Sequence, residues 1–190
     1  DFLLVNKMVY GAEIPFSHKH LPSVRAPRRG DVIVFKWPVD PSKNFVKRLV
    51  GLPGDTVSMN GGNFVLNGVT QKESYVVHSQ PGVDPTNDEF RWQRSHVLNS
   101  ASTVDPTGAV IDTYHPSRNN WGPLIVPPNS FFVLGDNRDN SLDSRYWGFV
   151  PDSLLRGKPL MVYYSYVPDS SVAAPWIRRI RWSRLGGSVE

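Results

Sequence analysis

Proline and glycine divide this sequence into short apolar runs, and no other feature constrains the fold as strongly. The chain has 17 prolines and 15 glycines, and the runs between them are rich in Val, Ile, Phe and Tyr. No long segment shows the 3.6-residue period of an amphipathic helix. The pattern therefore predicts short strands joined by many turns, at residues 2–5, 32–37, 45–50, 56–59, 64–66, 130–134 and 160–166.

These strands predict a mainly β protein whose antiparallel sheets form a barrel-like or sandwich-like core with little helix. Asn60, Gly61 and Gly62 predict a tight hairpin, because Asn and Gly accept the positive φ that such turns require. Residues 71–120 are polar and interrupted by proline, with one possible short helix at residues 87–98. We interpret 71–120 as a β-rich insertion or cap, and 1–70 together with 121–190 as a discontinuous core.

The composition excludes several classes of function. The chain has no cysteine, so disulfides, thiol nucleophiles and thiolate metal sites are excluded. The five histidines lack the spacing of a zinc site, and we predict neither a metal nor another cofactor. The net charge of +4 is small and spread along the chain, which does not indicate a nucleic-acid partner. No apolar run reaches the roughly 18 residues of a membrane span.

The segment at residues 45–55 contains a lysine that could act as a base. Side chains alternate across a strand, so Lys47 shares a face with Phe45 and Leu49, while Arg48 lies on the other face. One of the two cations must therefore sit among apolar side chains. If it is Lys47, burial lowers its pKa and makes a neutral amine available near neutral pH. The alternative is an edge strand whose lysine extends into water.

Residues 135–151 read Gly-Asp-Asn-Arg-Asp-Asn-Ser-Leu-Asp-Ser-Arg-Tyr-Trp-Gly-Phe-Val-Pro and follow an apolar strand. Their carboxylates and guanidinium groups can pair and make the turn rigid. A calcium loop that starts at Asp139 is excluded, because its sixth position is Ser144 rather than Gly and its twelfth is Val150 rather than Glu. A purely structural salt-bridged turn remains an alternative.

Together these segments resemble the type I signal peptidases (leader peptidases) of bacteria. Four blocks carry the resemblance, at residues 1–7, 29–35, 47–55 and 135–151, and residues 182–187 resemble the end of the family. The resemblance implies a membrane-bound serine endopeptidase with a Ser/Lys dyad. Such an enzyme cuts signal peptides from exported preproteins after small residues of the Ala-x-Ala type, on the periplasmic face of the bacterial cytoplasmic membrane.

The resemblance also implies roles for individual residues. Lys47 would be the general base, and Ser141 would hydrogen-bond to its amine and orient it. The turn that holds Ser141 would be braced by Asp136, Arg138, Asp143 and Arg145. One wall of the groove for the extended substrate would be formed by Asn44, Phe45 and Val46.

The resemblance places the nucleophilic serine outside residues 1–190. In the family it lies in a Ser-Met-x-Pro-Thr block shortly before the position of Asp1, and the transmembrane anchor lies further upstream. We therefore expect residues 1–190 alone to be inactive. We also expect an aromatic surface that rests on the bilayer, because Tyr and Trp favour the interface; its residues would be Tyr163, Tyr164, Tyr166, Trp176 and Trp182. The alternative is that most of them are core residues.

Two other functions remain open at this point. Self-cleaving repressors also pair Ser with Lys on a β scaffold, although the block at 135–151 is not expected in them. A noncatalytic β-rich module could instead capture extended peptides by strand addition.

Overall fold

The computed structural model describes residues 2–11, 22–98, 102–104, 110–112 and 114–164. Twelve strands are assigned there: β1 Phe2–Asn6, β2 Val32–Lys36, β3 Asn44–Gly51, β4 Thr56–Asn60, β5 Asn63–Leu66, β6 Val69–Thr70, β7 Ser102–Val104, β8 Val110–Asp112, β9 Trp121–Ile125, β10 Ser130–Leu134, β11 Val150–Pro151 and β12 Leu155–Tyr164. One α-helix, α1, spans Ser144–Trp147, and three 3₁₀ helices span Met8–Tyr10, Asp88–Ser95 and Asp152–Leu154.

The strands form two main antiparallel sheets and one separate hairpin. The larger sheet has the order β1-β12-β2-β3-β10-β11, the smaller sheet has the order β6-β5-β4-β9, and β7 pairs with β8. The predicted mainly β architecture with antiparallel sheets is confirmed. Six of the seven predicted strands agree with observed ones to within one residue at each end. The seventh, β12, begins five residues before its predicted start at Leu160.

The sequence pattern missed β9 and four shorter or more polar strands. β9 contains Pro123, which removes a backbone donor and argues against a central strand. The strand forms nevertheless because it is the last strand of the smaller sheet, paired with β4 on one side and meeting only the isolated bridge of Leu124 to Val97 on the other among the described residues. At the predicted hairpin Asn60 pairs with Asn63, and Gly61 and Gly62 take φ values of 55° and 82°, as a tight two-residue turn requires.

Two apolar clusters fix β3 and β10 at the centre of the molecule. One cluster joins the sheets, with Val50 and Phe132 from the larger sheet against Val57 and Leu124 from the smaller. The other covers the opposite face of the larger sheet and includes Leu49. The burial of β3 thus changes along its length: residues 48–51 are buried, whereas residues 44–47 are exposed or half-buried. Lys47 lies at the boundary between the two halves.

The segment 71–120 contains the 3₁₀ helix Asp88–Ser95, within the range predicted for a short helix, and the hairpin of β7 and β8. Asn87 caps this helix by accepting a hydrogen bond from the Glu89 amide at 2.9 Å. The helix buries Phe90 and Gln93. The division of the chain into a core and an insertion stays a prediction.

Candidate active site

Lys47 lies on β3 and reaches a serine that is distant in sequence. β3 lies between β2 and β10 in the larger sheet, although β10 pairs with it only from Arg48 onward. The Lys47 side chain is half-buried. Its Nζ donates a hydrogen bond to Ser141 Oγ at 2.9 Å. Burial lowers the pKa of Lys47 below its ordinary value, and the field of Arg145 adds to this effect, whereas Asp143 and Asp136 oppose it. The amine has no carboxylate within ion-pair distance among the described contacts.

The close approach of Ser141 depends on a glycine. A Cβ atom on Gly135 would overlap Ser141 Oγ and would lie 2.5 Å from Ser141 Cβ and 3.5 Å from Lys47 Nζ. Gly135 directly follows β10, so the end of that strand positions the turn beside Lys47. The Lys47–Ser141 contact therefore requires a residue without a side chain at position 135.

A buried ion pair closes the turn behind Ser141. Asp143 caps α1, and its carboxylate accepts hydrogen bonds from Arg145 Nε and Nη2, both at 2.8 Å, and from the Gly135 amide at 3.0 Å. Both side chains are fully buried. Burial alone would raise the pKa of Asp143, but the charge and hydrogen bonds of Arg145 outweigh it and lower that pKa. The same pairing raises the pKa of Arg145 against the effect of burial.

Asp136 pairs with a residue outside its own segment. Its carboxylate accepts from Arg48 Nε at 2.9 Å and Nη2 at 2.8 Å, and Arg48 Nη1 donates to the Gly30 carbonyl at 2.9 Å. Arg48 is only 7% exposed, so of the two neighbouring cations the arginine is buried more deeply than Lys47. Sequence alternation put both cations beside apolar residues and did not identify this pairing.

Arg138 is also buried, and its partners lie on both sides of the turn. Its Nε donates to the Gly135 carbonyl at 3.2 Å, and its Nη2 donates to Glu73 at 2.8 Å. Arg145 Nη2 donates to the Arg138 carbonyl at 2.7 Å. The four predicted bracing residues are thus brought together, but only Asp143 and Arg145 form an ion pair with each other. Arg48 and Glu73 are partners that the sequence reasoning missed.

An open cleft of about 270 Å³ lies beside the Lys47 amine. Its lining comprises Val32, Val46, Lys47, Arg48, Gly135, Asp136, Asn137, Asn140 and Ser141. Of the three predicted wall residues, Val46 lines this cleft and Asn44 is exposed. Phe45 is half-buried and stacks on Trp37, with ring centroids 5.1 Å apart and planes 6° from parallel.

The predicted membrane-contact residues are only partly covered by the structure. Tyr163 and Tyr164 are the last two residues of β12. The other three, Tyr166, Trp176 and Trp182, lie outside the described residues. Within the described ranges, no helix combines the length and apolar character needed to traverse a bilayer. The same residues contain no group of three or more His, Cys, Asp or Glu side chains that could hold a metal ion.

The family model described as signal peptidase, peptidase S26, matches residues 1–164. The chain belongs to this family. The resemblance to the type I signal peptidases is therefore confirmed, and the chain belongs to a family of peptidases. The matched range includes both segments that meet at the Lys47–Ser141 contact.

Named members of the signal peptidase family show how far the similarity extends. Signal peptidase I of Pseudomonas fluorescens is 36% identical over 183 residues, which cover 87% of this chain and 59% of the relative. Signal peptidase I of Aquifex aeolicus is 33% identical, covering 97% of this chain and 79% of the relative. A crystal structure of a signal peptidase I from Enterococcus faecalis V583 matches 72% of this chain and 98% of that chain, at 31% identity and a TM-score of 0.45.

Proposed function

We propose that this chain is the catalytic part of a serine endopeptidase that uses a Ser/Lys dyad to remove signal peptides from exported preproteins. Cleavage follows small residues of the Ala-x-Ala type, at the periplasmic face of the bacterial cytoplasmic membrane. Membership of the signal peptidase family supports the reaction class. The observation that carries the assignment of the base is the contact of 2.9 Å between Lys47 Nζ and Ser141 Oγ, on an amine whose pKa is lowered by burial.

Lys47 can act as the base because its neutral form has a free lone pair. A neutral amine has two N–H bonds and one lone pair, and one N–H is donated to Ser141 Oγ. This hydrogen bond limits the lone pair to the two remaining tetrahedral positions of the nitrogen, so Ser141 acts as a positioning residue. An arginine could not replace Lys47, because a guanidinium does not lose its proton in proteins.

In the proposed reaction the nucleophile is a serine that precedes Asp1 in the chain. Its hydroxyl attacks the scissile carbonyl while the Lys47 amine takes its proton, and the resulting ammonium gives that proton to the leaving amine. Water then attacks the acyl-enzyme while the same amine takes a proton from the water, and the ammonium returns this proton to the serine oxygen as the serine–acyl bond breaks. Residues 1–190 supply the base and its support, and we propose that by themselves they are inactive.

The free edge of β3 supports a groove for an extended substrate. The Leu49 amide donates to the Asp31 carbonyl and the Trp37 amide donates to the Lys43 carbonyl, each at 2.8 Å. Because hydrogen-bonded pairs alternate along an antiparallel ladder, the peptide groups of Val46 point away from β2.

On that side, β10 pairs with β3 only from Arg48 onward, and no other described strand occupies the edge at Val46. An extended peptide can therefore pair with this edge, where Asn44, Phe45 and Val46 would form the wall. We propose that Asp136, Arg138, Asp143 and Arg145 keep the opposite wall, the turn that carries Ser141, in place.

Preprotein processing by the full-length protein tests this function. We expect wild-type protein, including the upstream segment, to cut a preprotein with Ala at the cleavage site, and Lys47→Ala to abolish the cut. Lys43→Ala is the matched control, because Lys43 is an exposed lysine four residues earlier that pairs with Asp40. Processing by the Lys47→Ala variant would refute the base. Binding without cleavage by the wild-type protein would favour the noncatalytic peptide-binding module.

The proposed bilayer surface needs a separate test, because its residues lie at or beyond the end of the described strand. We expect residues 1–190 to co-sediment with liposomes, and a variant with Trp176→Ser and Trp182→Ser to co-sediment less, since indole rings favour the interface. Equal partitioning of the two proteins would refute a contribution of these tryptophans.

A further inference from the structure

A short segment that leaves the smaller sheet lies against the turn that carries Ser141. β6 ends at Thr70, and seven residues later Val77 forms a parallel bridge with Asn137. The Val77 amide donates to the Asp136 carbonyl at 2.9 Å, and the Arg138 amide donates to the Val77 carbonyl at 3.0 Å. We call residues 73–77 the strap. Its backbone thus holds the turn on both sides of Asn137.

The side chain of Glu73 joins the strap to the buried arginine of the turn. Glu73 Oε1 accepts hydrogen bonds from Arg138 Nη2 at 2.8 Å and from the Tyr75 hydroxyl at 2.7 Å. The Glu73 and Arg138 side chains are 9% and 2% exposed. Arg138 in turn holds the carbonyl of Gly135, the residue against which Ser141 packs. One carboxylate therefore acts, through a single arginine, on the position of the turn.

Tyr75 extends the same contact to β3. The Arg48 guanidinium lies over the Tyr75 ring, with its Cζ atom 4.0 Å from the ring centroid. Burial and the hydrogen bond to Glu73 raise the pKa of Tyr75, so its hydroxyl stays protonated and remains a donor to Glu73. Arg48 directly follows Lys47 and holds Asp136. The strap therefore contacts Arg48, which neighbours Lys47, and Arg138, which holds the turn of Ser141.

We propose that Glu73 and Tyr75 are positioning residues that hold the Lys47 amine and the Ser141 hydroxyl in contact. Glu73 acts through Arg138 and Gly135 on Ser141, and Tyr75 acts through Arg48 on Lys47. The inference rests on the proposed function of Lys47 as the base and gives residues of the segment 71–120 a part in it. Removal of the Glu73 carboxylate leaves a buried guanidinium without its counter-ion, which makes displacement of Arg138 and of the turn favourable.

Displacement of the turn would change the pKa of Lys47, which would not happen if Glu73 only stabilised the fold. When Ser141 moves away, water reaches the Lys47 amine, and the pKa of Lys47 rises toward its ordinary value because desolvation is what lowers it. The charged groups whose fields reach this amine are Asp136 on the turn, and Asp143 and Arg145 at α1. None of these is substituted in the strap variants, so a change in the pH profile reports the hydration and geometry of Lys47.

The test measures kcat and KM of the full-length protein over a range of pH, with a peptide substrate that contains the cleavage sequence. We expect Glu73→Ala to lower kcat by about ten- to a hundredfold with KM changed by less than about threefold, and to move the acid limb of kcat/KM to higher pH. Glu73→Gln, which can still accept from Tyr75, should retain more activity. Tyr75→Phe keeps the ring over Arg48 and should be milder than Tyr75→Leu.

Glu89→Ala is the matched control, because Glu89 is an exposed glutamate in the same segment whose carboxylate accepts a hydrogen bond from Asn87. It should leave kcat, KM and the pH profile unchanged. A Glu73→Ala protein that melts earlier but keeps the wild-type kcat and acid limb would overturn the inference, since Glu73 would then only stabilise the fold. If Lys47→Ala were active, the proposed function itself would fail, and the two failures are therefore distinguishable.

Discussion

Lys47 and Arg145 are two cations at the same site, one half-buried and the other fully buried, and their partners differ in charge. The partner of Lys47 is a neutral hydroxyl, Ser141 Oγ, at 2.9 Å. Arg145 is fully buried, and its guanidinium makes two hydrogen bonds of 2.8 Å to the carboxylate of Asp143. Burial lowers the pKa of Lys47, whereas Asp143 raises the pKa of Arg145.

The comparison shows that the partner, rather than burial alone, decides the direction in which the pKa of a cation shifts in this site. A buried ammonium without a counter-ion favours its neutral form, which is the form that a general base requires. A buried guanidinium with a carboxylate keeps its charge and holds the backbone around it. The same few residues thus contain one group suited to proton transfer and one suited to support.

The largest effect is expected when Lys47 is replaced by arginine, the residue type at position 145. Lys47→Arg keeps a positive charge but removes the lone pair, so we expect processing by the full-length protein to fall by about 10³-fold or more. Single-turnover cleavage of a preprotein measures this effect, and Lys43→Arg serves as the control. Activity within about tenfold of wild type would contradict the contrast between the two cations.

The next effect follows from removing the partner of Arg145. Asp143→Asn leaves a buried guanidinium without a counter-ion, so we expect the free energy of unfolding to fall by about 3 to 5 kcal/mol. Urea titrations of residues 1–190 measure it, and Asp40→Asn, in an exposed pair with Lys43, should leave the midpoint unchanged.

The stability contribution of Asp143 should also depend on pH. The pKa of Asp143 is lowered in the folded chain, so this contribution is complete above the ordinary carboxyl value of 3.8 and is lost as the pH falls below it. The Asn variant should lack that part of the acid dependence. An unchanged free energy of unfolding in Asp143→Asn would show that the pair does not hold the turn.

A smaller effect is expected when the neutral partner of Lys47 is removed. Ser141→Ala deletes a single hydrogen bond and leaves the amine in place, so we expect kcat to fall roughly ten- to a hundredfold, in line with the loss of about 1.4 to 3 kcal/mol. Steady-state kinetics of the full-length protein measure this. Ser42→Ala, which deletes an exposed serine hydroxyl bonded to Asp40, is the control. A complete loss of acyl-enzyme formation would instead indicate that Ser141 reacts directly.

The smallest effect concerns the pH profile. Because burial lowers the pKa of Lys47, the acid limb of kcat/KM in the wild-type protein should lie below the ordinary lysine value of 10.5. The charge of Asp136 raises this pKa, so Asp136→Asn should move the limb to lower pH by less than about one unit. The shift is opposite in sign to that expected for Glu73→Ala. An acid limb of kcat/KM at the ordinary lysine value would mean that burial does not lower the pKa of the Lys47 amine.

The sequence predicted the fold well wherever local patterns governed it. Short apolar runs between turn residues located most strands, and Asn60, Gly61 and Gly62 located a hairpin because positive φ is a local requirement. The pattern failed at β9, which contains Pro123, because a proline is tolerated only through the position of a strand at a sheet edge. Edge position is a property of the assembled sheet and leaves no local signal.

By itself, the sequence determined the two segments that carry Lys47 and Ser141, and their resemblance to a family that pairs such residues. The tertiary structure decided what each group touches. The Lys47–Ser141 contact joins residues 94 apart, the Arg48–Asp136 pair joins residues 88 apart, and the Arg138–Glu73 pair joins residues 65 apart. Alternation along a strand states which face a side chain takes, but the charge of a buried amine depends on the groups that folding brings against it.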